Sequence, residues 1–415
     1  MRNLLLVPEN ARSVAYEPDL YLMRLLSAPI NLKPMRSGDT FCAHRQWCNM
    51  SASDGIRGTN MTKQRSATAT PSGSVPPATT PSGKAGQGRA PTGRNRPSIR
   101  PANGVIWCTL VLGLVLLALS ACTTIPQVPR APGQLPRATA PADQLDRKVL
   151  IIGVDGLLGE AVSAIPTPSI DRVINSGAWT PQLVAGNHRQ FTESAPGWST
   201  ILTGVWAPKH QVWSNFGWDF NNLAQYPALY RRLDQVAPQL STASFVHWAP
   251  INQWLLNDAD TASSFATDIE VAAASAAFLQ RPDTADVTFV HFDDVDHAGH
   301  ECCYSAGNDD YQNAVRQVDK LVGQLLSSLE TRPGILQEDW LVMVVSDHGG
   351  GFFWHGGDTP QERDAFLAIA NTGPHPFCST TDLTGVTQAD VLPTVLAFLG
   401  LSVPTEWGID GQRRC

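Results

Sequence analysis

Residues 340–357 read WLVMVVSDHGGGFFWHGG. The run Leu341-Val342-Met343-Val344-Val345 is short, apolar and largely β-branched, which suits a strand covered on both faces in a parallel sheet. It stops at Ser346-Asp347-His348, passes through Gly349, Gly350 and Gly351, and meets a second imidazole at His355. A carboxylate beside an imidazole at the C-terminal end of a buried strand, with another imidazole after a glycine turn, is a donor set for a divalent metal. The alternative at this point is a polar strand end closed by an Asx turn.

Working outward, the chain repeats this arrangement. Residues 148–154 (KVLIIGV) form a buried run ending in Asp155, and residues 287–292 form another ending in Asp293-Asp294-Val295-Asp296. A further strand is expected at 242–247. Helices are expected at 166–176, 194–204, 226–236, 268–279, 310–329 and 387–399, with 177–192 extended and loop-like. Strands alternating with helices predict an α/β domain over 148–415, with a mostly parallel central sheet and helices on both faces. Function belongs at the C-terminal ends of its strands.

Charge divides the chain at the same place. Residues 1–147 hold 17 Lys+Arg against 7 Asp+Glu, a net of +10, whereas 148–415 hold 13 against 30, a net of −17. A domain so acidic repels a phosphate backbone and suits cations, so no binding of a nucleic-acid polymer is expected.

Residues 1–104 carry no folded-domain signal. The stretch 51–104 is rich in Ser, Thr, Pro, Gly and Arg and nearly free of bulky apolar residues, a composition that cannot offset its ordering entropy. Residues 105–122 (VIWCTLVLGLVLLALSAC) follow Arg94, Arg96 and Arg100, which is the layout of a secretory signal. Their end, Leu119-Ser120-Ala121-Cys122, resembles a bacterial lipobox, which implies lipid on Cys122 and a periplasm-facing, membrane-anchored protein. The alternative is a plain transmembrane anchor, for which the run is short. A signal ending so far from Met1 is anomalous, so translation is expected to start downstream. Residues 123–147 are then a Pro-rich spacer.

Downstream of Cys122, the cysteines Cys302, Cys303, Cys378 and Cys415 allow one or two disulfides, with connectivity open. The vicinal pair is expected to bond to distant partners rather than to itself. A Cys-based zinc site lacks the usual CxxC spacing.

Three buried runs thus end in Asp155, in Asp296 with His300, and in Asp347-His348 with His355. Asp296 and His300 are four apart, so one helical turn puts both on one face. Mixed Asp/His donors suit zinc first, with manganese or iron as competitors. Of the other histidines, His188, His210, His247, His291 and His375 are expected to be structural, and His297 is the one placed to steady a ligand. Glu362 is expected to be structural.

The segments GVDG (153–156), SAPGWSTILTG (194–204), DHAGH (296–300), SDHGG (346–350), HGG (355–357) and DVLPTVLAFLGLSVP (390–404) together resemble the alkaline phosphatase superfamily. They are most similar to its bacterial type I phosphodiesterase/nucleotide pyrophosphatase branch. The resemblance covers residues 148–411 and implies an alkaline-phosphatase-like fold with two divalent ions. It assigns Asp155, Asp347, His348 and the nucleophile to the first ion, and Asp296, His300 and His355 to the second. The nucleophile falls on Ser194, ten residues before Gly204, and a phosphate-contacting Asn falls on Asn215, 21 residues after Ser194. Thr192 is the lesser candidate nucleophile. The activity implied is hydrolysis of small phosphodiester or nucleotide-type phosphoanhydride substrates through a phosphoseryl intermediate. Alternatives are a phosphomonoesterase or sulfatase of the same superfamily, or a metal-containing surface binding protein without catalysis.

Two departures bear on that reading. The nucleophile is Ser where most diesterases of the branch have Thr. Trp198 stands where the sulfatase pattern places Arg, which argues against sulfate esters. The aromatics Trp206, Trp213, Phe216 and Trp218 are expected to favour an apolar or nucleobase leaving group by stacking, the alternative for each being the core.

Overall fold

The computed structural model describes residues 129–415; the apolar run at 105–122 and Cys122 lie outside the described residues. Among the described residues no helix is long and apolar enough to cross a membrane.

Seven strands build one sheet: β1 (Asp146–Val154), β2 (Ala178–Val184), β3 (Thr242–Val246), β4 (Thr261–Ser264), β5 (Val287–Phe292), β6 (Glu338–Val345) and β7 (Asp364–Asn371). Their order is β2-β7-β6-β1-β5-β3-β4. The run from β6 to β4 is parallel, and β7 is antiparallel to both of its neighbours.

Side-chain alternation explains why the central strands are apolar throughout. Leu150, Ile152 and Val154 of β1 face one core, and Val149 and Ile151 face the other. The first core is closed by α1 (Gly159–Ala164), α2 (Pro168–Ser176), α5 (Asp268–Leu279) and α7 (Asp309–Glu330). The second is closed by α3 (Ser194–Thr203), α4 (Leu229–Val236) and α8 (Val391–Phe398). The remaining helix that matters here, α6 (Asp294–Cys302), follows β5 directly. The expected mostly parallel sheet covered on both faces is therefore the architecture observed.

Several expectations are corrected. Residues 177–192 contain β2, paired with β7 through an irregularity between Thr180 and Leu183. Pro181 in that break lacks an N–H, which a sheet tolerates at an edge. Strand β7 lies outside the expected elements, because its sequence DAFLAIAN has neither strict alternation nor β-branched enrichment. The helix expected at 226–236 begins only at Leu229, just after Pro227. The spacer is not free along its whole length. Ala131 N–H donates to Asp171 Oδ2 at 2.7 Å, Leu135 N–H to Ser176 Oγ at 2.7 Å, and Ala138 N–H to Thr372 O at 2.7 Å. Leu135 and Ala138 are buried by this docking. Cys378 is bonded to Cys415, and Cys302 Sγ lies 3.1 Å from Cys303 Sγ, so the members of the vicinal pair, expected to bond to distant partners, also lie close to each other.

His210 gives the fold a pH dependence. It is buried, its Nε2 lies 3.1 Å from Thr200 Oγ1, and its Nδ1 accepts from Val212 N–H at 3.0 Å. Burial pushes its pKa down from 6.5 to about 3. The unfolded chain then binds the proton more tightly than the folded one between those values. The contribution is complete above pH 6.5 and is lost as pH falls toward 3, by up to about 1.4 kcal/mol per pH unit. Thermal unfolding followed from pH 7 to pH 4 is expected to show this loss and His210→Gln a shallower one; equal slopes would contradict it.

Candidate active site

The parallel pairing of β1 with both β5 and β6 brings three C-terminal strand ends side by side. From β1 comes Asp155; from β5, through the first turns of α6, come Asp296 and His300; from β6 come Asp347 and His348. His355 returns after the glycine turn. Asp155, Asp296, Asp347, His348 and His355 are buried.

Distances divide the donors into two adjoining halves. His348 Nε2 lies 3.2 Å from Asp155 Oδ1 and 3.5 Å from Asp347 Oδ2. Asp296 Oδ2 lies 3.3 Å from His300 Nε2, and Asp296 Oδ1 lies 3.7 Å from His355 Nε2. The halves meet at His348, whose Nε2 is 4.0 Å from Asp296 Oδ1 and whose ring stacks on that of His355 at 3.8 Å.

This donor set fits divalent cations. All three rings give their Nδ1–H to backbone carbonyls: His348 to Gly349 O at 2.9 Å, His300 to Phe353 O at 3.0 Å and His355 to Thr192 O at 2.8 Å. That pattern fixes the tautomer and leaves each Nε2 as the donor atom toward a metal. In neutral rings the Nε2 atoms of His300 and His355 then face each other as lone pairs at 3.0 Å, an arrangement that a cation relieves. Asp347 Oδ2 is buried with no hydrogen-bond partner, a costly state for a lone carboxylate oxygen. Burial, and then the charge of Asp155, push the Asp347 carboxyl well above its usual range. Burial opposes the charge on His348, but Asp347, Asp155 and Asp296 raise it to about 10. Burial and the neighbouring His348 push His355 down to about 4.

Ser194 occupies the first turn of α3, with its Oγ 3.4 Å from Asp155 Oδ1 and 3.3 Å from His348 Nε2. The helix N-terminus directs its positive end at the same spot. Asn215 is tied in from the opposite wall. Its Oδ1 accepts from Ala195 N–H at 2.8 Å, and its own N–H donates to Glu193 Oε2 at 2.8 Å. With Oδ1 engaged, the Nδ2 amide is the donor that remains for an anion. Thr192 has its hydroxyl spent on Gly357 O at 2.9 Å and its carbonyl on His355, which removes it as a nucleophile. The structure thus brings Asp155, Ser194, Asn215, Asp296, His300, Asp347, His348 and His355 to one place.

Further side chains meet at this place, among them Trp198, His291 and Tyr304, which the sequence did not point to as contacts of the donor set. Trp198 is fully buried and donates Nε1–H to Asp155 Oδ2 at 2.9 Å. His291 Nε2 lies 3.1 Å from the same oxygen. His291 is aligned with Gly153 in the β1–β5 register, and that pairing is the signal that could have found it. His297, expected to steady a ligand, instead lies 3.3 Å from Asp293 Oδ2 and is largely exposed. Tyr304 O–H donates to Asp296 Oδ1. Gly156 at φ 64 lets Asp296 approach, since a Cβ there would lie 2.8 Å from Asp296 Oδ1. Glu362, as expected, is structural: it accepts from Gly357 N–H at 2.8 Å and Thr359 N–H at 2.9 Å and so holds the HGG turn.

The four aromatics part company. Trp206 and Trp218 are buried, the latter stacked on Trp254 with centroids 5.9 Å apart, so both belong to packing and not to a substrate surface. Phe216 is 96% exposed and Trp213 43% exposed. Trp213 lines a cleft of about 400 Å³ with Phe191, Arg189 and Gly356, directly beside His355.

Residues 149–353 match the family described as type I phosphodiesterase/nucleotide pyrophosphatase. Over 121 residues the chain is 30% identical to the catalytic subunit of GPI ethanolamine phosphate transferase 3 from Mus musculus, covering 29% of this chain and 10% of that protein. The chain thus spans about a tenth of the length of the curated relatives it matches. Among solved structures, murine ectonucleotide pyrophosphatase/phosphodiesterase 5 in complex with AMP superposes with a TM-score of 0.50 at 13% identity, covering 62% of this chain and 96% of the other. A 2-O GAG sulfatase superposes with a TM-score of 0.50 at 15% identity, covering 65% and 73%. These likenesses show the fold.

Proposed function

The chain belongs to the type I phosphodiesterase/nucleotide pyrophosphatase branch of the alkaline phosphatase superfamily, and from that premise we propose that it hydrolyses phosphodiesters or nucleotide-type phosphoanhydrides through a phosphoseryl intermediate. The observation that carries the reading is the position of Ser194 Oγ, 3.3–3.4 Å from His348 Nε2 and Asp155 Oδ1 at the start of α3.

Asp155, Asp347 and His348 with Ser194 would hold one divalent cation, and Asp296, His300 and His355 a second, zinc before manganese or iron. When bound, such ions supply Lewis acidity toward phosphoryl oxygens and lower the pKa of a hydroxyl. The remaining chemistry belongs to the chain. Ser194 Oγ attacks phosphorus, the Oγ–P bond forms, the bond to the leaving oxygen breaks, and the hydroxyl proton ends on the leaving group. Asn215 Nδ2 and the N-terminus of α3 stabilise the charge that develops on the phosphoryl oxygens. Water then cleaves the phosphoserine and restores Ser194. The leaving group faces the cleft walled by Phe191 and Trp213, whose rings suit a flat or apolar group.

A diester is favoured over a dianionic monoester because the nearby cations are few and one is committed. Lys209 is bound to Asp410 Oδ1 at 2.5 Å and Gly408 O at 2.6 Å, and Arg189 lines the cleft instead of the nucleophile. Trp198, engaged with Asp155, supports the argument against sulfate esters. We further propose that Cys122 carries lipid and holds the enzyme on a periplasm-facing membrane surface.

With zinc supplied, kcat/KM for bis-p-nitrophenyl phosphate is expected to exceed that for p-nitrophenyl phosphate and p-nitrophenyl sulfate by about 10²-fold or more. A faster monoester or sulfate would move the activity to the other superfamily branches. Purified protein holding no transition metal would remove the basis of the reading.

A further inference from the structure

Where α6 ends, Cys302 Sγ and Cys303 Sγ lie 3.1 Å apart, and Cys303 adopts φ 82. That is the left-handed region, uncommon for a residue with a side chain. A disulfide requires about 2.05 Å between sulfurs, so closure asks for a movement on the order of 1 Å. The pair sits between two residues that hold Asp296. His300, two positions earlier, has Nε2 3.3 Å from Asp296 Oδ2, and Tyr304, the next residue, donates O–H to Asp296 Oδ1.

Tyr304 has little room to absorb such a movement. Its N–H donates to Phe352 O at 2.6 Å. Its ring lies where a Cβ on Gly299 or on Gly350 would come within 2.4 Å. Gly299 is in α6 and Gly350 in the turn after β6, so the ring is clamped between the two segments that bear His300 and His355.

We propose that Cys302 and Cys303 are a reversible oxidation site, at which closure of a vicinal disulfide draws His300 and Tyr304 away from Asp296. The oxidant is a small-molecule disulfide of the glutathione class. One cysteine thiolate attacks it, forming a mixed disulfide and releasing one small thiol. The second cysteine attacks the protein-side sulfur, the Cys302–Cys303 bond forms, and the second small thiol leaves. Two electrons pass from the protein to the small disulfide, and the two protein thiol protons end on the released thiols. The product is a small ring containing the 302–303 peptide bond, and closing it draws the end of α6 and the start of the Tyr304 segment together by on the order of 1 Å. The effect on cation binding rests on the site reading above; ring closure itself does not.

The full chain is incubated in excess reduced or excess oxidised glutathione and analysed without further reduction. In the oxidised sample the peptide containing residues 302–303 is expected to lose about 2 Da. Hydrogen exchange over Asp294–Cys302 is expected to quicken, and zinc to fall from two per chain toward one as the second ion binds 10–100-fold more weakly. Cys302→Ser and Cys303→Ser are each expected to abolish all three changes. Thiols that stay reduced in excess oxidant, or closure without faster exchange, would overturn the proposal. So would an undiminished response in Cys302→Ser, which would trace the effect to other cysteines of the chain. Reduced protein that binds no zinc would refute the proposed reaction, while the mass and exchange readings would still decide the oxidation site.

Discussion

Ser194→Ala is expected to lower kcat/KM for bis-p-nitrophenyl phosphate by about 10⁴-fold or more, the scale on which removal of a nucleophile acts. The fold and most metal binding should survive. The side chain is small and the helix start is held by other groups, including Ala195 N–H on Asn215 Oδ1. Asp155, Asp347 and His348 remain as three protein donors of the first half. Steady-state kinetics together with metal analysis separates the two effects. Activity within about tenfold of the wild type would show that Ser194 is not the nucleophile, and Thr192 is no substitute because its hydroxyl is bonded to Gly357 O. A phosphorylated peptide containing Ser194, trapped by acid quench from the wild type and absent from the variant, is the positive counterpart.

His355→Ala is expected to empty the second half of the site and leave the first loaded. His355 Nε2 approaches Asp296 and His300, and its ring is oriented by Thr192 O. Asp155, Asp347 and His348 make no hydrogen bond through it, so zinc should fall from two per chain toward one. Turnover should drop by about 10²-fold or more, since the Lewis acidity that a second ion would supply is lost. Some weakening of the first half is also expected, because the rings of His348 and His355 stack at 3.8 Å. Equal loss of both ions would contradict the division of the donors.

The glycines of the central stretch show how function and packing share one motif. On sequence alone, Gly349, Gly350 and Gly351 are the flexible turn between two metal-binding halves. In the folded chain none of the three has positive φ; Phe352 and Gly356 do, at 52° and 109°. Gly349 and Gly350 are required instead by close approach, with a Cβ on Gly349 falling 2.2 Å from Gln361 O and one on Gly350 falling 2.4 Å from the Tyr304 ring.

The central apolar strands, three of their ends and the acidic and imidazole donors there were legible from the chain, because each is a local fact. An apolar β-branched run followed at once by Asp or His places its chemistry at a strand end whatever the rest of the molecule does. The proposed roles of Ser194 and Asn215 came only through the resemblance, since a serine at a helix start is by itself an ordinary cap. What tertiary structure alone decided depends on residues remote in sequence. Trp198 and His291 reach Asp155 across 43 and 136 positions, Tyr304 is clamped between α6 and the turn after β6, and Trp213 and Trp206 part between cleft and core. No periodicity encodes such meetings, because they arise from the register of β1 with its neighbours and from the packing of helices onto the sheet. The stretch 340–357 thus offered a candidate metal-donor set by its own chemistry, and only the fold could say which neighbours hold each donor in place.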